Sequence, residues 1–305
     1  MTTPPALLIA GHGTRDEAGA EAFRDFVREL GRRHPELPVA GGFIELSPPP
    51  LGDAVTELVE RGVRRFAAVP LMLVSAGHAK GDIPAALSRE RERHPGISYT
   101  YGRPLGPHPA LLRVLERRLA EAVDPAWDPS EVTVLLVGRG STDPDANAEV
   151  FKAARLLWEG RGYAAVETAF VSLAEPDVPG GLDRCVRLGA RRVVVLPYFL
   201  FTGILPDRVR DQTEEWAAAN PETEVRSADV IGPEPELLDL VWERYEEAVK
   251  GDLRMNCDSC VYRIALPGFE DKVGLPQQPH FHPDDDGDHH HGHHHGHGHA
   301  HSHAH

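Results

Sequence analysis

Cysteine is scarce in this chain of 305 residues: there are three, Cys185, Cys257 and Cys260. So small and odd a number excludes a disulfide framework and fits a reducing, cytoplasmic setting. Long apolar runs are missing as well. No stretch reaches the ~20 residues that span a bilayer, and Met1 to Pro5 has no charged leader running into an apolar segment, so neither a membrane partner nor a signal peptide is expected. There is no basic block, and the formal net charge is -15. That excludes a broad nucleic-acid footprint, which needs concentrated lysine and arginine. No Gly-x-Ser-x-Gly elbow follows a strand, which argues against hydrolase chemistry of that kind. Glycine-rich phosphate signatures of the dinucleotide or P-loop type are also missing.

What is present is a duplication. Leu8-Ile9-Ala10-Gly11-His12-Gly13-Thr14-Arg15-Asp16 is matched by Leu135-Leu136-Val137-Gly138-Arg139-Gly140-Ser141-Thr142-Asp143. At the same offset, Gly62-Val63-Arg64-Arg65-Phe66-Ala67-Ala68-Val69-Pro70 is matched by Gly189-Ala190-Arg191-Arg192-Val193-Val194-Val195-Leu196-Pro197. Within each copy, short wholly apolar runs alternate with segments of helical period, such as Ala22, Phe23, Phe26, Val27 and Leu30. Strands are expected near 6–10, 39–43, 66–73 and 97–101, then near 132–137, 166–171, 193–200 and 224–227. Helices are expected at 17–33, 51–61, 83–93 and 110–122 in the first copy. Unbroken apolar strands suit a parallel sheet covered on both faces. The expected fold is α/β: two tandem, duplicated, doubly wound parallel-sheet domains, over residues 1–124 and 130–250, with 124–129 as linker. Residues 251–305, lacking the apolar content for a core, are expected to be a disordered tail.

In such sheets chemistry gathers at the carboxyl ends of the strands. The three post-strand loops of the first copy offer His12, Glu45 and His78. Two imidazoles and a carboxylate suit a first-row divalent ion, and three protein ligands leave positions open for exchange. The same groups can accept protons near neutral pH. The second copy has Arg139, Ser172 and, allowing a one-residue gap, Ile204 at these places. The scaffold therefore does not need the trio, and chemistry is expected in the first copy. Arg103 reads as a solvated surface charge.

These residues carry a family resemblance. The segment Leu8 to Asp16, then Phe43-Ile44-Glu45-Leu46, then Pro70-Leu71-Met72-Leu73 with Gly77-His78 and Asp82-Ile83-Pro84, resembles the sirohydrochlorin chelatases. These are the class II tetrapyrrole chelatases, comprising cobaltochelatases of cobalamin biosynthesis and ferrochelatases of siroheme synthesis. The resemblance spans both copies, about Ala6 to Val249. It implies a cleft between two lobes, sirohydrochlorin and a divalent metal (Co2+, with Fe2+ or Ni2+ as alternatives) as substrates, and no nucleotide. It also implies that His12, Glu45 and His78 bind metal or handle pyrrole protons, without saying which does which. Because sirohydrochlorin carries many carboxylates, the resemblance further implies local cations in this acidic protein, for which Arg15, Lys80 and Arg139 lie in or near strand-end loops. A non-catalytic cobalt or nickel store on the same scaffold is the alternative from another class.

Beyond residue 250, Met255-Asn256-Cys257-Asp258-Ser259-Cys260 places two thiolates at chelating or redox spacing. Two cysteines do not complete a four-thiolate cluster, which leaves a dimer through this region open, although one chain already supplies both lobes. The long cobaltochelatases are similar here, carrying such a motif with a histidine-rich segment. That resemblance implies an iron–sulfur centre at Cys257 and Cys260. The last 26 residues hold thirteen histidines, His289, His290, His291, His293, His294 and His295 at their densest, beside Asp284-Asp285-Asp286. This composition is read as a buffer for divalent metal, in preference to a purification tag or an inert tail. Cys185 falls on a helical pattern and is expected to pack as a small hydrophobe.

Overall fold

The computed structural model describes residues 4–251 and 270–274. The Cys257–Cys260 motif and the histidine-rich tail lie outside the described residues. In the first copy the elements are β1 (Ala6–Gly11), α1 (Glu17–Arg33), β2 (Val39–Phe43), α2 (Leu51–Glu60), β3 (Arg65–Pro70), α3 (Ile83–Arg93), β4 (Ser98–Tyr101) and α4 (Pro109–Ala122). The second copy repeats them as β5 (Val132–Gly138), α5 (Pro144–Trp158), β6 (Ala165–Phe170), α6 (Val178–Arg187), β7 (Arg192–Pro197), α7 (Ile204–Ala219), β8 (Glu224–Ser227) and α8 (Pro235–Lys250). Each copy forms one parallel sheet, in the orders β2-β1-β3-β4 and β6-β5-β7-β8. The duplicated, doubly wound α/β fold expected from the repeat is therefore present.

β3 and β7 stop earlier than the apolar runs suggest. Both end at a proline, Pro70 and Pro197, which has no N–H to continue a ladder. Leu71 and Tyr198 still donate to Ala10 O and Val137 O of the central strands, the chain then leaves the sheet, and Leu71, Met72, Leu73, Tyr198 and Leu200 become cleft wall. The central strands β1 and β5 are buried along their whole length, which is why they read as unbroken apolar runs.

The two copies exchange their last helices. α4 lies against β7 and α5 of the second copy, while α8 lies against β3 and β4 of the first. One apolar core therefore runs through both copies, joining Leu7, Ile9 and Val69 to Val134, Leu136 and Val194 by way of α1, α4, α5 and α8. Two outer cores complete the layers, one between the first sheet and α2 and α3, the other between the second sheet and α6 and α7. Even the expected linker takes part. Trp127 is buried in the shared core, with the guanidinium of Arg226 5.3 Å and that of Arg192 5.5 Å from its ring centre. Cys185 is buried in the outer core of the second copy, and burial pushes its thiol up to about 12.

This exchange carries a prediction. A chain ending at residue 124 leaves Leu111, Leu112, Leu115 and Leu119 without the second copy they pack into, at a cost on the order of 2 kcal/mol for each leucine returned to water. We expect that fragment to dimerise or aggregate in size-exclusion chromatography with light scattering. A monodisperse, cooperatively melting monomer would contradict the shared core.

Candidate metal centre

Three neighbouring strands aim three loops at one point. β1 is flanked by β2 and β3, so the loops that follow them are adjacent at the sheet's carboxyl edge. His12 follows β1, Glu45 follows β2, and His78 follows β3. The first two loops are tied together by backbone bonds from Ile44 N–H to Gly11 O and from Glu45 N–H to His12 O, and by the Thr14 N–H donating to Ser47 Oγ at 2.9 Å. His78 opens a π-helical turn, His78–Asp82, that runs directly into α3.

The atoms converge closely. His12 Nε2 lies 3.0 Å from His78 Nε2 and 3.2 Å from Glu45 Oε1. One ligand atom from each residue falls within 4.8 Å of the others. Among the described residues no other group of three such side chains converges in this way. The two rings stand nearly perpendicular, at 89°.

The far ring nitrogens define the near ones. His12 Nδ1 is 3.0 Å from the Gly13 carbonyl, which can only accept, so Nδ1 carries the hydrogen. His78 Nδ1 is 2.6 Å from Asp82 Oδ2, and the carboxylate again requires a donor there. In the neutral rings both Nε2 atoms are then bare lone pairs. Two lone pairs and a carboxylate facing one another repel unless a cation, either a proton or a metal ion, sits among them. With bonds of about 2.1 Å, nitrogens 3.0 Å apart subtend roughly 90° at a shared ion, an angle that leaves room for further ligands. His78 is buried, while the Glu45 side chain is 40% exposed, so the centre opens on its glutamate side.

Of the trio, His12 and His78 line a cleft of about 330 Å³ between the two copies, and Glu45 stands beside it. First-copy residues His12, Thr14, Arg15 and His78 meet second-copy residues Arg139, Ser141, Asn147 and Ser172 across it. Leu46 and Ile204, both large apolar side chains left exposed, flank it.

Comparison with known proteins gives the scaffold a lineage. The family profile described as CbiX matches residues 6–122 and again 133–248. The chain belongs to the CbiX family. A sirohydrochlorin cobaltochelatase of Priestia megaterium is 38% identical over 265 residues, covering 86% of this chain and 85% of the relative. A sirohydrochlorin ferrochelatase of the same species is 36% identical over 213 residues, covering 69% of this chain and 78% of the relative. Among solved structures, SirB from Bacillus subtilis with Fe3+ is 28% identical with a TM-score of 0.70, covering 82% of this chain and 97% of that one.

In this member of the CbiX family the expected cations divide. Arg15 is exposed and Arg139 half-buried, and both line the cleft. Burial lowers the pKa of Arg139, and the charge of Glu45 works against that shift. Lys80, expected to meet substrate carboxylates, points elsewhere. Its side chain is 7% exposed and donates to Asp143 Oδ2 at 2.7 Å and Asp145 Oδ2 at 2.9 Å. Arg103 is not the freely solvated charge expected of it. It donates two hydrogen bonds to Glu247 on α8, at 2.7 and 2.9 Å, part of the exchange of helices.

One site residue escaped the sequence reading. Asp82 sits four residues after His78 and sets its tautomer. The spacing gave a usable signal, since i and i+4 share a helix face, but the segment read as loop. A carboxylate behind an imidazole also raises its basicity as a ligand. Asp82→Asn is expected to weaken metal binding 10- to 100-fold, in line with other partners of metal-binding histidines, with little change in melting temperature. Calorimetric or spectroscopic titration of the variant against the parent tests this, and unchanged affinity would remove Asp82 from the centre.

Proposed function

We propose that this protein is a sirohydrochlorin chelatase that inserts Co2+ as its working metal. The observation that carries this reading is the convergence of two outward Nε2 lone pairs and a carboxylate at the mouth of a cleft. That arrangement binds a divalent ion while leaving positions from which it can be handed on. The relatives' activities support the substrate class, and the cobaltochelatase likeness covers the larger share of this chain. The Cys257 and Cys260 motif and the histidine-rich tail add weight for cobalt through the resemblance noted above. Iron is the second reading, favoured by the ferrochelatase likeness.

The chemistry sets the roles. A free-base tetrapyrrole loses two inner N–H protons as the metal enters, and the ion sheds water to bind. His12, His78 and Glu45 replace part of that water on the incoming ion. His12 and His78 line the cleft that would hold the macrocycle, and Glu45, the most exposed of the three, is a proton acceptor beside them. The apolar side chains of Leu46, Leu71, Leu73, Val150, Leu200 and Ile204 suit the faces of a flat ring. Arg15 and Arg139 suit its peripheral carboxylates, forming forked hydrogen bonds that offset the protein's overall negative charge.

The test is anaerobic absorbance spectroscopy of sirohydrochlorin with the purified protein and either Co2+ or Fe2+. Acceleration over the uncatalysed reaction, greater with cobalt, is the expected result. Acceleration that favours iron would move the assignment to the second reading. No acceleration with either metal would overturn the chelatase reading and leave a metal carrier on this scaffold.

A further inference from the structure

The loop that carries His78 is gripped by the other copy. Ser75 N–H donates to Glu149 Oε2 on α5 at 2.7 Å. Lys80, two residues beyond His78, is held by Asp143, the N-cap of α5, and by Asp145 in its first turn. These are not surface contacts. The side chains of Asp143 and Asp145 are 4% and 2% exposed. Burial works against the Lys80 ammonium, but the two carboxylates more than offset it and hold its pKa above the ordinary range. Burial also pushes the Glu149 carboxyl up, against the Ser75 amide that stabilises its charge. Within the first copy the same turn is fastened by the Tyr101 hydroxyl donating to Ala79 O at 2.7 Å.

Exposed ion pairs contribute little. A buried set that crosses from one lobe to the other is a different matter, because it is costly to assemble and fixes geometry when complete. It fastens the turn three residues before His78, at Ser75, and two residues after it, at Lys80. The second copy has lost the trio yet keeps Asp143 at the place of Asp16, each capping the first helix of its copy. In the first copy Asp16 serves α1. In the second, Asp143 both caps α5 and accepts from Lys80.

We propose that Lys80 is a positioning residue for the metal centre: clamped between Asp143 and Asp145, it fixes the turn that presents His78 to His12 and Glu45. The second lobe thereby sets the spacing of the first lobe's ligands, and so contributes to metal affinity without a ligand of its own. The inference rests on the metal-binding reading of the trio, and it extends that reading to three residues that touch neither metal nor macrocycle.

The test uses the full-length chain. Lys80→Ala alone would strand two buried carboxylates and confound the outcome through unfolding. The informative variant is therefore neutral and near in volume: Lys80→Gln with Asp143→Asn and Asp145→Asn. Co2+ is titrated into each protein and into its His12→Ala counterpart, and the visible difference spectrum cancels ions held by the histidine-rich tail. The neutral variant should bind Co2+ at the centre 10- to 100-fold more weakly than the parent, the range typical of outer partners of metal ligands. Leu182→Ala, in the outer core on α6, is the stability control and should leave that affinity unchanged while lowering the melting temperature. Affinity within about twofold of the parent in the neutral variant, or an equal loss in Leu182→Ala, would overturn the positioning role while the metal centre stands. A parent without any His12-dependent signal would instead overturn the metal centre itself, and the positioning role with it.

Discussion

Replacing either His12 or His78 with alanine should lower metal insertion by roughly 100-fold or more, at the low end of what positioned acid–base groups contribute, before lost metal affinity is counted. The two variants should be nearly equivalent, because their Nε2 atoms share one position 3.0 Å apart and neither alone presents a pair. The double variant should cost little beyond either single one, as happens when residues act as a unit. Folding should survive, since the second copy builds the same scaffold with Arg139 and Ile204 in those places. Turnover at saturating sirohydrochlorin with varied Co2+, alongside a thermal melt, measures both effects. Two variants that retain most of the parent rate at low metal would remove the trio from the reaction.

Gly13→Ala should be among the most damaging single substitutions in the first lobe, and for a mechanical reason. Gly13 has φ of +108°, and a Cβ there would stand 1.8 Å from the Glu45 carbonyl oxygen. No rotamer relieves a clash with backbone, so the loop carrying His12 must separate from the loop carrying Glu45. The positive φ alone costs about 1 kcal/mol in a non-glycine residue, and the overlap raises the loss to on the order of 3 kcal/mol. The second copy supplies the control. Gly140 has φ of +88°, and its Cβ would stand 1.7 Å from the Ser172 carbonyl oxygen. Gly140→Ala should therefore lower the denaturation midpoint comparably. Only Gly13→Ala should also abolish Co2+ binding at the trio in the fraction that stays folded. Denaturant unfolding paired with metal titration separates the two effects, and retained binding in Gly13→Ala would show that the two loops can part without harm to the centre.

The duplicated loops show how much of the scaffold is indifferent to the chemistry. Leu46 and Leu173 both take positive φ, 63° and 62°, at matching places after the second strand of their copies. The glycine turn, the strand–loop hydrogen bonds and the helix-capping aspartate are all kept in both copies. What changed is a handful of side chains at the strand ends. This is the pattern expected when binding groups are grafted onto a fold that stands without them.

Much of this was legible in the chain itself. The repeat announced two copies, and wholly apolar strands announced parallel sheets buried on both faces. Loss of His12, Glu45 and His78 counterparts from the second copy pointed to the candidate site, because side chains absent from one of two equal scaffolds cannot be needed to build it. Three things were decided by tertiary structure alone. Strand order put β1 between β2 and β3 and so made neighbours of residues 33 and 66 positions apart; periodicity carries no information on order. The exchange of α4 and α8 joined the two copies through one core, since an apolar helix face does not state which sheet it covers. The fate of charge was settled the same way. Arg15 and Arg139 remained at the cleft while Lys80 was drawn into a buried cluster with Asp143 and Asp145, because a cation's role depends on which carboxylates the fold brings within reach of it.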